Sequence, residues 1–173
     1  MLVLLPAKPE KPSSFWRPGA AYAIHRADAE IGRIDLSGTP KRDGDGRIRL
    51  GERTFDCCVQ VTGRARLAHV PSRWVMYEGD AALHAAVWES GQTFLVEGPD
   101  ALRLRRRGLG GAVVAIERAS DTAAIGEIRR VRGRLLPKPT APRIELETSI
   151  ELPETLAVFL LWIVVQDEFR SGD

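Results

Sequence analysis

Apolar and polar residues alternate with a period of two along most of this chain, and the alternation gives way only near its end. Ile34 and Leu36 are interleaved with Arg33 and Asp35, Leu102 and Leu104 with Arg103 and Arg105, and Ile144 and Leu146 with Arg143, Glu145 and Glu147. Successive side chains of a strand point to opposite faces, so each stretch reads as a strand with one buried and one wet face. Turn-forming clusters separate them: Glu78-Gly79-Asp80, Ser90-Gly91, Glu97-Gly98-Pro99-Asp100, Gly108 to Gly111, and Ala119 to Thr122. No stretch between residues 20 and 152 sustains a helical apolar period. The pattern predicts strands over 20–26, 30–36, 47–50, 53–61, 64–70, 74–78, 82–88, 92–96, 101–107, 112–118, 123–132 and 143–149. Short strands at such regular spacing build an antiparallel sandwich or barrel.

The exception is Leu156 to Val165, ten consecutive apolar residues. As a helix they span about 15 Å, against a hydrocarbon thickness of about 30 Å, so they predict no membrane span. Pro153 and Glu154 suit a first turn, since Pro lacks the amide that would be orphaned there and Glu complements the positive helix end. The helix expected over about 154–168 is apolar on every face and belongs inside a core. About twelve strands shelter such a helix completely only by wrapping around it, which predicts a closed barrel.

The opening residues Met1 to Pro6 are too short an apolar stretch for an export signal, and residues 1–19 read as an extended lead-in, with Phe15 and Trp16 pinning its end to a single domain over 20–173. Within that domain Ile31-Gly32-Arg33-Ile34, preceded by Ala23-Ile24-His25-Arg26-Ala27, parallels Ile125-Gly126-Glu127-Ile128, preceded by Ala115-Ile116-Glu117-Arg118-Ala119. Arg47-Ile48-Arg49-Leu50 likewise parallels Arg143-Ile144-Glu145-Leu146. An internal duplication is the expectation, giving two similar halves.

Several stretches also carry a family likeness: Trp74 to Asp80, Leu83-His84-Ala85-Ala86, Phe94 to Gly98, Leu102 to Arg106, Ile125 to Ile128, and Leu152-Pro153-Glu154 leading to Phe159-Leu160-Leu161-Trp162-Ile163 and Arg170. In these the chain resembles the tubby C-terminal-like family, particularly its small prokaryotic members related to the LURP-one and phospholipid scramblase barrels. The resemblance implies a twelve-stranded barrel of two similar halves threaded by a hydrophobic C-terminal helix. The family's eukaryotic members bind phosphoinositide headgroups through basic surface residues, and none of those residues aligns onto a particular position here.

The 173 residues are 44% hydrophobic and 28% charged with a net charge of +2, which excludes a disordered chain, a coiled coil and a disulfide scaffold. The two cysteines are adjacent, Cys57 and Cys58, a spacing that strains any mutual disulfide, and on a strand they face opposite sides. With no export signal, the expected location is cytoplasmic, peripheral to the membrane at most. His25, His69 and His84 lack metal-ligand spacing, and no nucleophile elbow, phosphate loop or dinucleotide fingerprint occurs. Asp43, Asp45 and Glu52 imitate part of a calcium loop, but Lys41 stands at its first ligand position. Neither metal nor cofactor is expected.

Charge is where the sequence is distinctive. Residues 103–143 hold eleven basic and three acidic groups, residues 1–102 thirteen of each, and residues 144–173 one basic and seven acidic. Arg103, Arg105, Arg106, Arg107, Arg129, Arg130, Arg132 and Arg134 are the candidate anion-binding residues, and if strands 101–107 and 123–132 lie close together their outward arginines form one positive patch. Guanidinium forks suit phosphate oxygens. Nucleic acid is the poorer match, because no Phe, Tyr or Trp lies between Arg103 and Arg143 to stack on bases. The reading is a non-catalytic module for anionic headgroups or another polyanion. Its alternatives are a structural or protein-interaction domain, in which the arginines serve solubility and internal pairing, and an enzyme whose groups meet at a barrel mouth.

Overall fold

The computed structural model describes residues 1–8, 20–36, 45–60, 73–90, 93–107, 112–131 and 142–171. They form twelve strands and one helix: β1 (Leu2–Ala7), β2 (Ala20–Arg26), β3 (Ala29–Leu36), β4 (Asp45–Leu50), β5 (Arg53–Gln60), β6 (Arg73–Glu78), β7 (Ala81–Ser90), β8 (Thr93–Val96), β9 (Leu102–Arg107), β10 (Val113–Arg118), β11 (Ala124–Val131), β12 (Arg143–Thr148) and α1 (Glu154–Ser171). Every strand pairs antiparallel with its sequence neighbours, and β1 closes the ring by pairing with both β2 and β12. Closure leaves no edge strand open to another chain. The fold is the expected closed antiparallel barrel of twelve strands around a C-terminal helix.

Two boundaries differ from the sequence expectation. The lead-in assigned to residues 1–19 gives up Leu2–Ala7 to the barrel, whereas residues 9–19, with Phe15 and Trp16, lie outside the described residues. Leu2, Val3 and Leu4 are buried in succession, so this strand has no polar face and shows no alternation. The strand expected over 64–70 also lies outside the described residues, and β1 supplies the twelfth stave.

The Ile-Gly-x-Ile repeat is a β-bulge. In the β2–β3 hairpin Ile24 pairs with Gly32 but His25 with Glu30, leaving Ile31 as the extra residue. In β10–β11, Ile116 pairs with Gly126 and Glu117 with Ala124, leaving Ile125 extra in the same way. A side chain on either glycine would strike backbone: a Cβ on Gly32 would lie 2.1 Å from the Arg49 carbonyl oxygen, and one on Gly126 2.4 Å from that of Glu147. The hairpin recurs a third time in β6–β7, where Met76 pairs with His84 and Tyr77 with Ala82. There Leu83 is the extra residue, and His84 occupies the glycine's place. The three hairpins stand four strands apart around the ring.

Antiparallel strands reverse at each connection, so 27–28, 51–52, 79–80, 97–101, 119–123 and 149–153 all lie at one end, the turn end. The other strand ends are joined by connections containing residues 9–19, 37–44, 61–72, 91–92, 108–111 and 132–141, which are outside the described residues. The helix starts at the turn end, where the Pro153 carbonyl accepts the Ala157 amide and opens the first turn. Arg26 pairs with Glu154 at 2.7 Å, and Thr155 Oγ1 lies 3.0 Å from His84 Nε2. From Ala157 to Gln166 every residue is buried, and Val158 to Ile163 are entirely so. Ten consecutive helical residues sample every azimuth, so this burial means enclosure on all sides. Phe159 lies against His84 of β7 at 5.6 Å, and Trp162 against Gly46 of β4, three strands further round the ring.

Candidate functional site

The arginine-rich stretch occupies β9 and β11, with β10 between them. Alternation with Leu102 and Leu104 turns Arg103, Arg105 and Arg107 outward and leaves Arg106 on the inner side. In β11 the bulge at Ile125 resets the parity, so Ile128 and Arg130 share the inner face while Glu127 and Arg129 face out. Arg130 lies close to Tyr22, a member of the core. Burial pushes the Tyr22 phenol above its usual range, and the Arg130 cation partly opposes that. Of the eight candidates, Arg103, Arg105, Arg107 and Arg129 therefore share the outer face of β9–β11. Arg106 and Arg130 face inward, and Arg132 and Arg134 lie outside the described residues.

Three of the four outward arginines lie in two cross-strand rows, and Arg103 lies in a third with Leu95 and Glu117. Arg107, Val113, Arg129 and Glu145 are mutual neighbours along one, and Arg105, Ala115, Glu127 and Glu147 along the next. Carboxylates from the same sheet meet most of them. Arg103 pairs with Glu89 at 3.1 Å, Arg107 with Glu117, and Arg129 with Glu127. Glu117 is only 4% exposed, and Arg107 is its ion-pair partner. Arg105 is exposed, and no ion pair of it occurs among the described residues. A shallow groove of about 380 Å³ crosses this face, walled by Arg107, Glu127, Glu147 and Thr148 over a floor of Ala115 and Gly126.

No group of three or more His, Cys, Asp or Glu residues converges to hold a metal among the described residues. Cys57 is buried and Cys58 half-buried, as their opposite facing requires. Burial pushes the Cys57 thiol well up, which removes its nucleophilic form. His69 and the calcium-like positions Lys41 and Asp43 lie outside the described residues. His84 and Thr155 are a base and a hydroxyl within hydrogen-bond reach, and burial lowers the His84 pKa and keeps the ring neutral. No third group orients the imidazole among the described residues. Packed at a tilt against the Phe159 ring, His84 fastens the first turns of α1 to β7.

Internal pairing is expected from the sequence, but these partners are not: Glu89 and Glu117 meet Arg103 and Arg107 only through strand register, whereas Glu127 shares the outer face of β11 with Arg129 two residues away. Among the described residues no helix is long and apolar enough to cross a membrane. Together the fold and site define a closed twelve-stranded antiparallel barrel with a helix through its axis and arginine-rich outer strands. Comparison with protein-family models, with curated proteins and with solved structures gives no match to this chain.

Proposed function

We propose that this chain is a non-catalytic binding module that associates reversibly with anionic surfaces, phospholipid headgroups above all. The observation that carries the reading is the filled interior: α1 occupies the space where a barrel of this kind would otherwise hold a ligand, which favours contact at the outer surface and ends. The excess of basic residues over 103–143 selects the sign of the partner. Each basic residue close to an anionic leaflet contributes about 1 kcal/mol, so a handful recruits a domain reversibly. The location consistent with this is cytoplasmic and peripheral to the membrane, and the reading requires no cofactor. Kinship with the tubby-like barrels belongs to the same proposal, supported by the enclosed helix and the bulged hairpins.

The test is co-sedimentation with vesicles of phosphatidylcholine alone or mixed with phosphatidylserine. Retention on the mixed vesicles at low salt, reversed by raised salt, is the expected result. Absence of retention at low salt would remove the lipid reading. A protein partner is the second reading, favoured by the internal pairing of Arg103, Arg107 and Arg129 and by the groove beside them.

A further inference from the structure

The bulge glycines align the two halves residue by residue. Gly32 faces Leu50 as Gly126 faces Thr148, and a Cβ on one glycine would strike the Arg49 carbonyl as one on the other would strike that of Glu147. Arg33, Asp35, Arg47 and Arg49 on the outer face of β3–β4 therefore occupy the places of Glu127, Arg129, Glu145 and Glu147 on β11–β12. Every sign is reversed: three cations and one acid form the first quartet, three acids and one cation the second. Arg33 directly opposes Arg49, and Glu127 opposes Glu147, arrangements that destabilise a sheet. The bulged hairpin does not require charge there, because the third one carries Ala85, Val87 and Leu95 in corresponding positions. Among the described residues, internal pairing leaves an excess on both sides. Asp35 is shared by Arg33 and Arg49, at 3.0 and 3.3 Å, and Asp56 takes Arg47. Arg129 holds Glu127 and Arg143 holds Glu145, whereas exposed Glu147 has no ion pair among the described residues.

We infer that copies of this chain associate head to tail, the β3–β4 quartet of one against the β11–β12 quartet of the next. The inference goes beyond the anionic-surface reading and stands without it. The occupant is a second copy because the chain itself carries both members of the match, at equivalent positions and sign for sign. Shape agrees. The groove of about 380 Å³ runs beside Glu127 and Glu147, and Arg47, its side chain 62% exposed, is the group that projects to enter it. Exposed Lys8, whose carbonyl accepts the Arg33 guanidinium, adds to the positive side. Arg105 does not cancel the negative side, for it stands three strands from Glu147, about 14 Å along the row. Around the twelve-stranded ring β11 and β12 lie four strands from β3 and β4, a third of the circuit. Faces that far round a barrel cannot both meet one partner. The contact is therefore heterologous and builds a ring or an open chain instead of a two-fold dimer.

Sedimentation velocity at low salt over rising protein concentration is the test. The mass of the unaltered chain is expected to climb above the 19.1 kDa of one copy and to return to it at high salt. Arg47→Glu with Arg49→Glu, and separately Glu145→Arg with Glu147→Arg, each give a chain whose two quartets have the same net sign. Each variant alone is expected to stay monomeric, and an equimolar mixture of the two to associate, because each then meets its opposite. Thermal melts establish that both are folded. Should a reversal not fold, Arg49→Gln and Glu147→Gln each remove one charge of an excess and are expected to weaken association several-fold. An unaltered chain that stays monomeric at low salt would overturn the inference and leave the quartets to separate partners. Association that either reversal leaves intact, or folded variants whose mixture stays monomeric, would overturn the assignment of the contact to these faces.

Discussion

His84 shows how much one position can be asked to do. It stands where the other two bulged hairpins carry Gly32 and Gly126, and it uses the side chain they lack to reach Thr155 and Phe159 on the helix. Burial lowers its pKa from 6.5, so the folded protein prefers the neutral ring while the unfolded chain titrates normally. Stability is therefore complete above pH 6.5 and declines as pH falls below it, because the unfolded state takes up the proton first. Denaturant midpoints measured across that range should fall with pH, and His84→Gln should flatten the dependence. Gly46 is a second such position. A Cβ there would lie 2.7 Å from Trp162 Nε1, and the fully buried indole has nowhere to go. Gly46→Ala is expected to cost about 1–3 kcal/mol, read as a lowered melting temperature or denaturant midpoint. Trp74 Nε1, Trp162 Nε1 and Gln166 Oε1 are buried without a hydrogen-bond partner among the described residues.

At the scale of elements, the strands legible in the sequence are those with one wet face. Alternation locates Ile34 and Leu36 in β3 and Leu102 and Leu104 in β9 because their neighbours are charged. It misses β1, whose Leu2, Val3 and Leu4 are buried on both faces and whose place depends on distant partners in β2 and β12. Which arginines face outward was hidden for a related reason. Facing in β11 changes at Ile125, and no period of two read through the bulge can place Arg130 correctly. The repeated Ile-Gly-x-Ile motif was visible, but its meaning, an inserted isoleucine and a glycine pressed on a neighbouring carbonyl, required the register. The hairpin turns give an element-scale prediction. Ala27 has φ +52° in the β2–β3 turn, where Gly79 with φ +58° serves the equivalent β6–β7 turn. Relieving a left-handed alanine is worth about 0.5–1 kcal/mol, so Ala27→Gly should raise the unfolding midpoint, and an unchanged or lowered midpoint would count against strain in this turn.

For the whole molecule, closure and filling act together. Twelve strands leave no edge, and the helix leaves no open lumen, so both the backbone groups and the apolar interior are used internally. What remains available to a partner is the outer surface, where Arg103, Arg107 and Arg129 hold carboxylates of their own sheet, and the two ends of the barrel. All of it depends on α1 being enclosed. Amide hydrogen exchange is the direct measurement, with a denaturation curve on the same protein for the global unfolding free energy. Enclosure predicts that the amides of residues 158–163 exchange only through global opening, with the same free energy as the core strands. Exchange of those amides through an opening several kcal/mol cheaper, while the strands stay protected, would show a helix that leaves the barrel and would contradict enclosure.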